Sequence, residues 1–350
     1  MRVLIDARCL NDSGLGVYTV EIIRSLSKLP IQIGVLINPG LEDNLSILPV
    51  QNYNVIEVNY GRFSYKNLFS LSKHLKKYDL YFLPSPTVAP LNSSIRIIST
   101  IHDVCPLRFR RFFGIKVYLA FYLILFLQII RSSKLLTISE FSKSEILSFF
   151  KFLVRGKPVI AIKNGLPRRF SSNKGEVSEL IKKMMASKYL LCVGNVKPHK
   201  NIKPLINYFI SQNGLHSKYK LVIVGRIGGF ITGESIDHCH KDIVFTDYVN
   251  DHELSMLYEN ASAFIYPSLY EGFGLPLLEA MKFKLPIAAS NLPVFHEVAG
   301  NSISYFDPVT FTGLDDFILS IKDNEKSNYE ELLAVYNWDD AAEMIYQEFL

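Results

Sequence analysis

The chain has 350 residues, of which 49% are hydrophobic and 20% are charged. This composition supplies enough apolar side chains for large packed cores and excludes an intrinsically disordered protein. The length favours two domains, and the modest net charge of +5, without a long basic stripe, gives no reason to expect nucleic-acid binding.

Short apolar runs alternate with longer helical patterns from end to end, which is typical of parallel β-sheets with crossover helices. The first strand is followed by a predicted helix from about Val17 to Leu29. Strands are predicted at Val3–Ile5, Ile31–Ile37, Val55–Val58, Leu80–Leu83, Ile95–Thr100, Leu135–Ile138, Val159–Ile162, Tyr189–Val193, Lys220–Val224, Ile243–Thr246, Ala263–Tyr266, Ile287–Ala289 and Ser304–Tyr305. We therefore predict an α/β fold of two Rossmann-like domains facing a central cleft, because ligands of open α/β sheets bind at the carboxyl ends of the strands.

A polar stretch from Ser171 to Lys188 separates the two halves and is interpreted as a linker with a short helix. It places an N-terminal Rossmann-like domain at residues 1–170 and a C-terminal one at residues 171–336. Residues 337–350 are predicted to form a terminal helix that is capped by Asn337 or Asp339.

Cysteine usage and the N-terminal residues indicate the compartment. The four cysteines, Cys9, Cys105, Cys192 and Cys239, lack C-x-x-C spacing, which favours buried thiols in a reducing compartment over disulfides or a zinc site. The chain leads directly into the strand-like run VLID rather than into a basic and apolar signal sequence. A cytoplasmic protein is therefore expected.

A basic and aromatic segment, Arg108 to Phe113, precedes an apolar run in which Gln128 is the only plainly polar residue between Lys116 and Arg131. That run is shorter than the roughly 20 residues needed to span a bilayer. It fits either a core helix or a helix lying on a membrane surface. We favour the core helix and keep peripheral membrane contact through residues 108–130 as the alternative.

The most informative stretch is YEGFGLPLLEAM, from Tyr270 to Met281. Glu271 and Glu279 lie on either side of a Gly-Phe-Gly turn, and Pro276 suits the first turn of a helix, where a missing N–H costs nothing. Free N–H groups at that helix N-terminus, with the positive end of its dipole, make a phosphate site. The turn predicted to bind phosphate consists of Gly272, Phe273, Gly274 and Leu275.

Two loops of the first half are further candidates. Gly14 and Gly16 form a glycine loop before the first predicted helix, and both a phosphate loop and a plain turn fit this pattern. His102 and Asp103 end a predicted strand, where a histidine can hydrogen-bond a sugar hydroxyl or assist a leaving group. A structural histidine fits the same position when His102 is considered alone.

Loops of the second half contain lysines that could bind a diphosphate and residues that could line a nucleotide pocket. Lys197 and Lys200 follow a strand and precede a helix, which suits a diphosphate, with a solvated lysine pair as the alternative. Lys200 is the stronger candidate. Arg226, Tyr248 and Val249 follow two other strands, where Tyr248 and Val249 can hold a base through packing and backbone groups.

A metal site was considered at Asp237-His238-Cys239-His240, because imidazole and thiol groups are suitable ligands. Nothing elsewhere in the sequence completes such a site at convincing spacing, and we favour an ordinary loop. No D-x-D motif occurs in the chain, so we expect no metal bound between paired aspartates and a diphosphate.

In this order, the motifs resemble those of family 4 glycosyltransferases, which have the GT-B fold. The resemblance covers nearly the whole chain, and its most specific part is the E-x7-E element of Glu271 and Glu279. The stretches that carry it are GLG at residues 14–16, His102-Asp103, Asn164-Gly165, VGNVKPHKN at residues 193–201, residues 257–281, and FHEVAG at residues 295–300.

The resemblance implies a role for each matched position. Glu279 is expected to bind the ribose of a nucleotide, and Glu271 the hydroxyls of the donor sugar. Lys200 is expected to neutralise the leaving diphosphate, and His102 to hydrogen-bond the donor sugar. Backbone N–H groups of Gly16 and of residues 273–275 would contact the diphosphate and sugar. The N-terminal domain becomes the acceptor domain, the C-terminal domain binds the nucleotide sugar, and the terminal helix crosses back to the N-terminal domain.

The chain departs from the family pattern at two positions. Asn195, counted among the donor-binding residues, stands where many relatives have arginine, and His199 stands where a subset has arginine before the lysine. Lys200 is then expected to bind the diphosphate nearly alone, with Lys197 or a protonated His199 as help. This predicts that donor affinity falls as the pH rises through the titration of His199.

The function implied is a retaining transfer of a hexose from a nucleotide diphosphate sugar to a glycan or lipid-linked acceptor, without metal or other cofactor. The expected setting is synthesis of a cell-surface polysaccharide, such as O-antigen or capsule, at the inner face of the membrane. GDP-mannose is the first expectation for the donor, and UDP-hexoses and dTDP-rhamnose remain open. For retention, same-face attack with the leaving phosphate as base is preferred to a covalent intermediate on Glu271.

Other functions remain as alternatives. One is a glycoside hydrolase, which would release reducing sugar without any nucleotide. Another is a catalytically inert GT-B protein that binds a glycan or a partner, an alternative that the missing arginines keep open. A nucleotide-dependent dehydrogenase is remoter, because the full glycine fingerprint is absent.

Overall fold

The computed structural model describes residues 1–41, 53–168, 170, 176–211, 218–226, 240–322 and 326–350. The chain divides into two compact units. The first comprises Met1–Arg110, Gly114–Gly165 and Tyr336–Leu350, and the second comprises Arg111–Phe113 and Leu166–Val335. Each unit contains a parallel sheet, so the predicted α/β class is confirmed.

The strands of the described residues lie where the apolar runs predict them, within one residue at each end. They are β1 (Arg2–Asp6), β2 (Gln32–Ile37), β3 (Asn54–Glu57), β4 (Leu80–Leu83), β5 (Arg96–Ile101), β6 (Lys134–Thr137), β7 (Val159–Ala161), β8 (Tyr189–Val193), β9 (Lys220–Val224), β10 (Ile243–Asp247), β11 (Ala263–Tyr266), β12 (Ile287–Ser290) and β13 (Ser304–Phe306).

The helices connect these strands. They are α1 (Ser13–Leu26), α2 (Asn67–Ser70), α3 (Ser72–Leu75), α4 (Cys105–Arg108), α5 (Arg110–Arg131), α6 (Glu140–Phe150), α7 (Glu179–Met185), α8 (Ile202–Ser211), α9 (Asp251–Asn260), α10 (Leu275–Lys282), α11 (Pro293–Ala299), α12 (Leu314–Ser320), α13 (Glu330–Leu333) and α14 (Trp338–Phe349). A short 3-10 turn, Pro198–Lys200, precedes α8.

The sheet of the first unit has the order β3-β2-β1-β4-β5-β6-β7, and that of the second has the order β10-β9-β8-β11-β12-β13. All recorded strand pairs are parallel. The central strands are buried on both faces, as at Leu4 and Ile5 of β1 and Leu190 and Leu191 of β8. Double burial explains why these strands read as continuous apolar runs rather than as alternating patterns.

Helix α1 starts earlier than predicted, at Ser13 instead of Val17. Asp12, in extended conformation, is its N-cap residue, so Gly14 and Gly16 lie inside the first turns and not in a loop before the helix. At Gly16 a Cβ atom would lie 2.3 Å from the carbonyl oxygen of Leu10, so the close approach of this backbone requires glycine.

Helix α5 corrects the preference for a core helix. Of its side chains, Leu125, Gln128 and Ile129 are buried, while most of the others are partly or fully exposed. Gly114, at φ 79°, interrupts the helix near its start. Within the described residues, α5 is the one helix that is long and apolar enough to cross a membrane by length and composition.

The terminal helix α14 packs against α1 in the first unit. Asn337 caps it by accepting a hydrogen bond from the N–H of Asp339 at 2.8 Å. Gly165 faces this region, because a Cβ atom there would lie 2.3 Å from the backbone nitrogen of Trp338. Close packing against Trp338 therefore explains why residue 165 is a glycine.

Three of the cysteines, Cys9, Cys105 and Cys192, are buried free thiols, as expected. The fourth, Cys239, lies outside the described residues, together with Asp237 and His238.

Candidate functional site

The second unit brings a lysine and a glutamate together at the carboxyl end of its sheet. Lys200 belongs to the 3-10 turn that follows β8, and Glu271 belongs to the loop that follows β11. Strands β8 and β11 are neighbours in the sheet, so their carboxyl ends lie side by side. This edge is where parallel α/β sheets bind ligands.

Lys200 Nζ donates a hydrogen bond to Glu271 Oε1 at 2.6 Å. The Ser268 hydroxyl donates to the same oxygen, also at 2.6 Å. The lysine and glutamate side chains are only 19% and 12% exposed. Lys200 also lies over the ring of Tyr266, 5.6 Å from its centre. The pair is therefore packed on several sides and held in one geometry.

The carboxyl group of Glu271 is ionised at neutral pH. Burial raises its pKa, but the charge and hydrogen bond of Lys200, with the hydrogen bond of Ser268, lower the pKa by more, so it lies below the ordinary value. The site thus carries a fixed negative charge and a fixed positive charge in direct contact. Such a pair can receive sugar hydroxyls on the carboxylate and phosphate oxygens on the ammonium group.

Glu279 lies in α10 and is 1% exposed. Its Oε2 accepts a hydrogen bond from the Tyr258 hydroxyl, on α9, at 2.9 Å. The structure therefore does not pair Glu279 with Glu271, and each carboxylate has its own partner. This arrangement matches two separate binding groups better than an acid and base acting on one bond.

The turn before α10 has the backbone predicted for it. Gly274 has φ 111°, a conformation that favours glycine, and a Cβ atom there would crowd the ring of Phe295 at 3.1 Å. Leu275 begins the helix and Pro276 occupies its first turn. Gly272 and Phe273 are buried beside this helix start. Its N-terminal N–H groups and dipole favour an anion at this point.

The loop after β8 positions Asn195 beside the end of β9. Asn195 Oδ1 accepts a hydrogen bond from the N–H of Arg226 at 3.2 Å, and the N–H of Val196 donates to the carbonyl of Arg226 at 3.1 Å. Lys197 is exposed. Asn195 therefore holds the neighbouring loop through its side chain, and the cation close to Glu271 is Lys200.

The prediction that a protonated His199 helps Lys200 to bind the diphosphate is wrong near neutral pH. Burial and, after it, the charge of Lys200 lower the pKa of His199 to about 4. Its Nδ1 atom is buried without a partner among the described residues. The predicted fall in donor affinity through the titration of His199 has no basis above pH 5, because the ring is neutral there.

Tyr248 and Val249 follow β10 and differ in exposure. Tyr248 is 72% exposed and Val249 is buried. The guanidinium carbon of Arg226 lies 5.5 Å from the centre of the Tyr248 ring. The tyrosine is available to a ligand, while Val249 anchors the loop.

In the first unit, His102 follows the end of β5. Its Nε2 lies 2.7 Å from the carbonyl oxygen of Pro84, and its ring packs edge-on against Tyr18 at 4.6 Å between centres. Burial lowers the pKa of His102 to about 4, although the hydrogen bond to Pro84 acts in the opposite direction. The ring is therefore neutral, with the proton on Nε2, and its Nδ1 can accept but not donate a hydrogen bond.

Two other candidate residues of the first unit, Asp103 and Gly16, use their polar groups locally. Asp103 Oδ1 accepts a hydrogen bond from the N–H of Cys105 at 2.8 Å, so it shapes the turn into α4. The N–H of Gly16 donates to the carbonyl of Asp12 at 2.5 Å within α1 and is used there, which corrects its expected contact with a diphosphate. Gly14, two residues earlier, has nothing within 4 Å of its Cβ position.

Sequence reasoning missed Ser268 and Tyr258. Ser268 was within reach of the prediction, because it stands three residues before Glu271 in the same loop. Tyr258 gave no signal, since it precedes Glu279 by 21 residues and the contact depends on how α9 packs against α10.

No cluster of three or more His, Cys, Asp or Glu side chains that could hold a metal occurs among the described residues. His240, the described member of the candidate metal motif, has its Nδ1 atom 3.8 Å from Asp242.

The neutral state of His102 predicts an acid-sensitive stability. Its pKa is about 4 in the folded chain and about 6.5 when unfolded, so the unfolded state binds more protons between these values. The contribution of the neutral His102 to the free energy of unfolding is fully present above pH 6.5 and is lost as the pH falls towards 4. At pH 5 the loss amounts to about 2 kcal/mol. Chemical denaturation at pH 7.5 and 5.0 should give a larger difference for the wild type than for His102→Gln. Equal differences in the two proteins would contradict the prediction.

Residues 173–329 match the family model described as Glycosyl transferases group 1. Over 252 residues the chain is 32% identical to the O-antigen chain mannosyltransferase RfbU of Salmonella typhimurium, covering 70% of this chain and 67% of that protein. It is also 32% identical over 206 residues to O-antigen chain mannosyltransferase B of Escherichia coli. That match covers 55% of this chain and about half, 53%, of the length of that protein.

Among solved structures, the chain resembles Anabaena Alr3699/HepE in complex with UDP-glucose, with a TM-score of 0.74 and 14% identity over 100% of this chain and 99% of that one. At this identity the likeness concerns the fold, which is the GT-B class of two Rossmann-like domains. The identity to RfbU over about two thirds of both chains adds the family. The chain, with Lys200 and Glu271 at the carboxyl end of its second sheet and Glu279 in the helix that follows, belongs to the group 1 glycosyl transferases.

Proposed function

We propose that this glycosyltransferase is a retaining mannosyltransferase that moves mannose from GDP-mannose to a glycan or lipid-linked acceptor in the synthesis of a cell-surface polysaccharide such as O-antigen. The observation that carries the proposal is the buried contact of Lys200 with Glu271, at the ligand-binding edge of the sheet. The names of the relatives at 32% identity, both O-antigen chain mannosyltransferases, support the sugar and the process.

The proposed roles follow the chemistry of each group. Glu271, ionised and fixed by Ser268, accepts hydrogen bonds from hydroxyls of the donor sugar. Lys200 neutralises charge that develops on the leaving diphosphate. Glu279, oriented by Tyr258, binds the ribose. The turn from Gly272 to Leu275 receives a phosphate at the start of α10. No metal is needed in this scheme, because the lysine and the helix start supply the positive potential.

His102, Gly14, Asn195, Tyr248 and Val249 complete the proposed contacts. Because Nε2 of His102 is engaged by Pro84, the histidine accepts a hydrogen bond from a sugar hydroxyl through Nδ1. Gly14 leaves room for a ligand at the start of α1. Asn195 acts through the loop that it holds, the ring of Tyr248 packs on the base, and the buried Val249 contributes backbone groups to the same pocket.

Retention by same-face attack is favoured over a covalent intermediate on Glu271. Oε1 of Glu271 accepts two hydrogen bonds of 2.6 Å, from Lys200 and Ser268. A nucleophilic carboxylate would have to give up much of this stabilisation, and the positive charge beside it lowers its electron density. The leaving phosphate then acts as the base towards the acceptor hydroxyl.

Thermal shift with GDP-mannose, UDP-glucose, UDP-galactose and dTDP-rhamnose, followed by transfer to a lipid-linked oligosaccharide, tests the proposal. We expect the largest stabilisation from GDP-mannose and an α-linked mannose in the product, as in the donor. An inverted linkage, or preference for another nucleotide sugar, would refute the respective part of the proposal. Release of reducing sugar from oligosaccharides without nucleotide would indicate a hydrolase instead.

We further propose that α5 docks on an anionic membrane surface, where a lipid-linked acceptor resides. Ile115, Leu119 and Leu123 are exposed, and their spacing of four residues places them on one face of the helix. On another face, Leu125 and Ile129 are buried in the core of the first unit. This anchoring supports a helix that lies on the membrane rather than one that crosses it.

Cations stand at the start of the same helix. Arg110 and Lys116 are exposed, and each basic group near an anionic lipid surface contributes about 1 kcal/mol. Arg110 also lies over the ring of Tyr118, at 5.9 Å from its centre. Basic groups beside an exposed apolar stripe are the combination that interfacial helices use.

Binding to lipid vesicles should be lost when the exposed stripe is made acidic. The double variant Leu119→Glu/Leu123→Glu replaces two apolar anchors, each contributing about 1.5 kcal/mol or more when buried, by like charges facing an anionic surface. We expect at least tenfold weaker co-sedimentation with phosphatidylglycerol vesicles. The matched control is Leu319→Glu, an exposed leucine of the second unit, which should bind as the wild type does. Unchanged binding of the double variant would refute the membrane proposal.

A further inference from the structure

The carboxyl ends of β9 and β10 present an arginine over the ring of a tyrosine, outside the pair formed by Lys200 and Glu271. These strands are neighbours, and β9 also pairs with β8. Arg226 follows β9 and Tyr248 follows β10, with 5.5 Å between the guanidinium carbon and the ring centre. Both side chains are exposed. The pair therefore stands at the ligand-binding edge of the same sheet.

The backbone under this pair is fixed by hydrogen bonds and close packing. The backbone N–H of Arg226 donates a hydrogen bond to Asn195 Oδ1, and its carbonyl oxygen accepts one from the N–H of Val196. At Gly225, φ is 151° and a Cβ atom would lie 2.2 Å from the carbonyl oxygen of Gly194, so the loop ends touch. The N–H of Gly225 donates to the carbonyl of Asp247 at 3.1 Å. The arginine and tyrosine are thus presented from a preorganised backbone.

The guanidinium of Arg226 makes no ion pair with any carboxylate of the described residues. The contact with the ring of Tyr248 is a cation–π contact and does not use the N–H donors of the guanidinium group. A planar fork of donors is suited to two acceptors that lie side by side in one plane. The exposed tyrosine beside it offers an aromatic surface for a flat ring system.

The position along the sheet indicates which end of the ligand this pair meets. A nucleoside diphosphate is elongated, with its base and its terminal phosphate at opposite ends. Lys200 and Glu271 stand at β8 and β11, whereas Arg226 and Tyr248 stand at β9 and β10, on the far side of β8. Neighbouring strands are about 5 Å apart, so the two pairs are separated in the sheet direction by one to three strand spacings.

We infer that Arg226 is a specificity-determining residue that recognises the base of a nucleoside diphosphate and selects guanine, an inference that rests on the proposed function of the same unit. Guanine presents N7 and O6 as two adjacent acceptors, matching the arginine fork. Adenine has an amino group in place of O6, and uracil lacks N7, so neither accepts both hydrogen bonds. In this scheme Arg226 contributes to donor binding through the base, and Lys200 remains the cation assigned to the phosphates.

Calorimetric titration with GDP, ADP, UDP and inorganic pyrophosphate tests this inference. A bidentate contact discriminates between bases by roughly 5- to 150-fold, so the wild type should bind GDP about tenfold or more tightly than ADP. Arg226→Met and Arg226→Lys should both reduce this ratio to about threefold or less, because lysine keeps the charge but lacks the fork. Pyrophosphate affinity should stay unchanged in both variants.

The exposed Lys182, on α7, gives the matched control Lys182→Met, which should keep the preference for GDP. Retention of the full preference by Arg226→Lys would overturn the inference, and so would an equal loss of GDP and pyrophosphate affinity, which would assign Arg226 to the phosphates. Equal wild-type affinities for the three nucleotides would overturn it too, while leaving transfer from a nucleotide sugar intact. Absence of binding to every nucleotide would instead refute the proposed function.

Discussion

Transfer activity should fall by about a thousandfold when Glu271 is replaced by glutamine. Glutamine has the same size and can still accept the hydrogen bond of Ser268, so the change removes charge with little change in shape. The hydroxyls of the donor sugar lose an ionised acceptor, and charge-assisted hydrogen bonds are roughly twice as strong as neutral ones. Lys200 also loses its partner, so its position towards the diphosphate is no longer fixed. The measurement is kcat/KM for transfer from the preferred nucleotide sugar.

The stability of the same variant separates chemistry from folding. Removing one member of a buried ion pair leaves the other uncompensated and costs about 3–5 kcal/mol, an upper limit here because both groups keep some exposure. Removing both partners, in Lys200→Met/Glu271→Gln, should recover most of the free energy of unfolding but none of the activity. An active double variant would refute the assignment of the site.

The control for Glu271 is another glutamate of the second unit. Glu179 pairs with Lys182 at the same N–O distance of 2.6 Å, but the side chains are 88% and 55% exposed. Such surface pairs contribute little to stability. Glu179→Gln should therefore keep both activity and stability, and activity of Glu271→Gln within threefold of Glu179→Gln would contradict the proposed role.

The strands were predictable because each is a short apolar run between polar loops. In β4, β8, β9 and β11 the predicted bounds coincide with the observed ones. Burial on both faces makes the apolar signal continuous along each strand. The start of α1 was missed because glycines inside a first turn resemble a loop, although Asp12 was available as an N-cap signal.

Helix α5 shows a different limit of the sequence. Its apolar composition indicates a helix, but composition alone does not say whether the apolar side chains face a core or solvent. Only the packing of Leu125 and Ile129 in the first unit, with Leu119 and Leu123 outside, separates the two cases. The preference for a core helix failed for this reason.

The sequence was enough to identify single residues of the site, but not to predict which of them contact each other. Lys200 and Glu271 are 71 residues apart, and their meeting depends on β8 and β11 being neighbours. The neutral state of His102 and His199 was also invisible, because burial rather than nearby sequence lowers each pKa. The contact between the loop of Lys200 and that of Arg226 was equally invisible, because Asn195 and Arg226 follow different strands.

Replacement of Lys200 by methionine should lower kcat by about a hundredfold to a thousandfold, with a smaller change in KM. A positive charge aimed at the leaving diphosphate acts most strongly in the transition state, where negative charge develops there, and groups of this kind contribute 10²–10³-fold. Lys200→Arg should keep more activity than Lys200→Met, since it retains the charge. The control is Lys182→Met, which removes an exposed cation of the same unit.

The pH dependence of Lys200→Met provides a second readout that a purely structural role would not produce. In the wild type, burial raises the pKa of Glu271, and the charge of Lys200 is the largest of the effects that together lower it below its ordinary value. Without Lys200, burial is opposed only by the weaker influences of His199 and Ser268, so the carboxyl group should take up its proton at higher pH. The acid limb of the pH–rate profile should therefore move upwards in Lys200→Met and stay in place in Lys200→Arg. Identical acid limbs in the wild type and Lys200→Met would mean that the ion pair does not control the ionisation of Glu271, and the proposed division of roles between the two residues would fail.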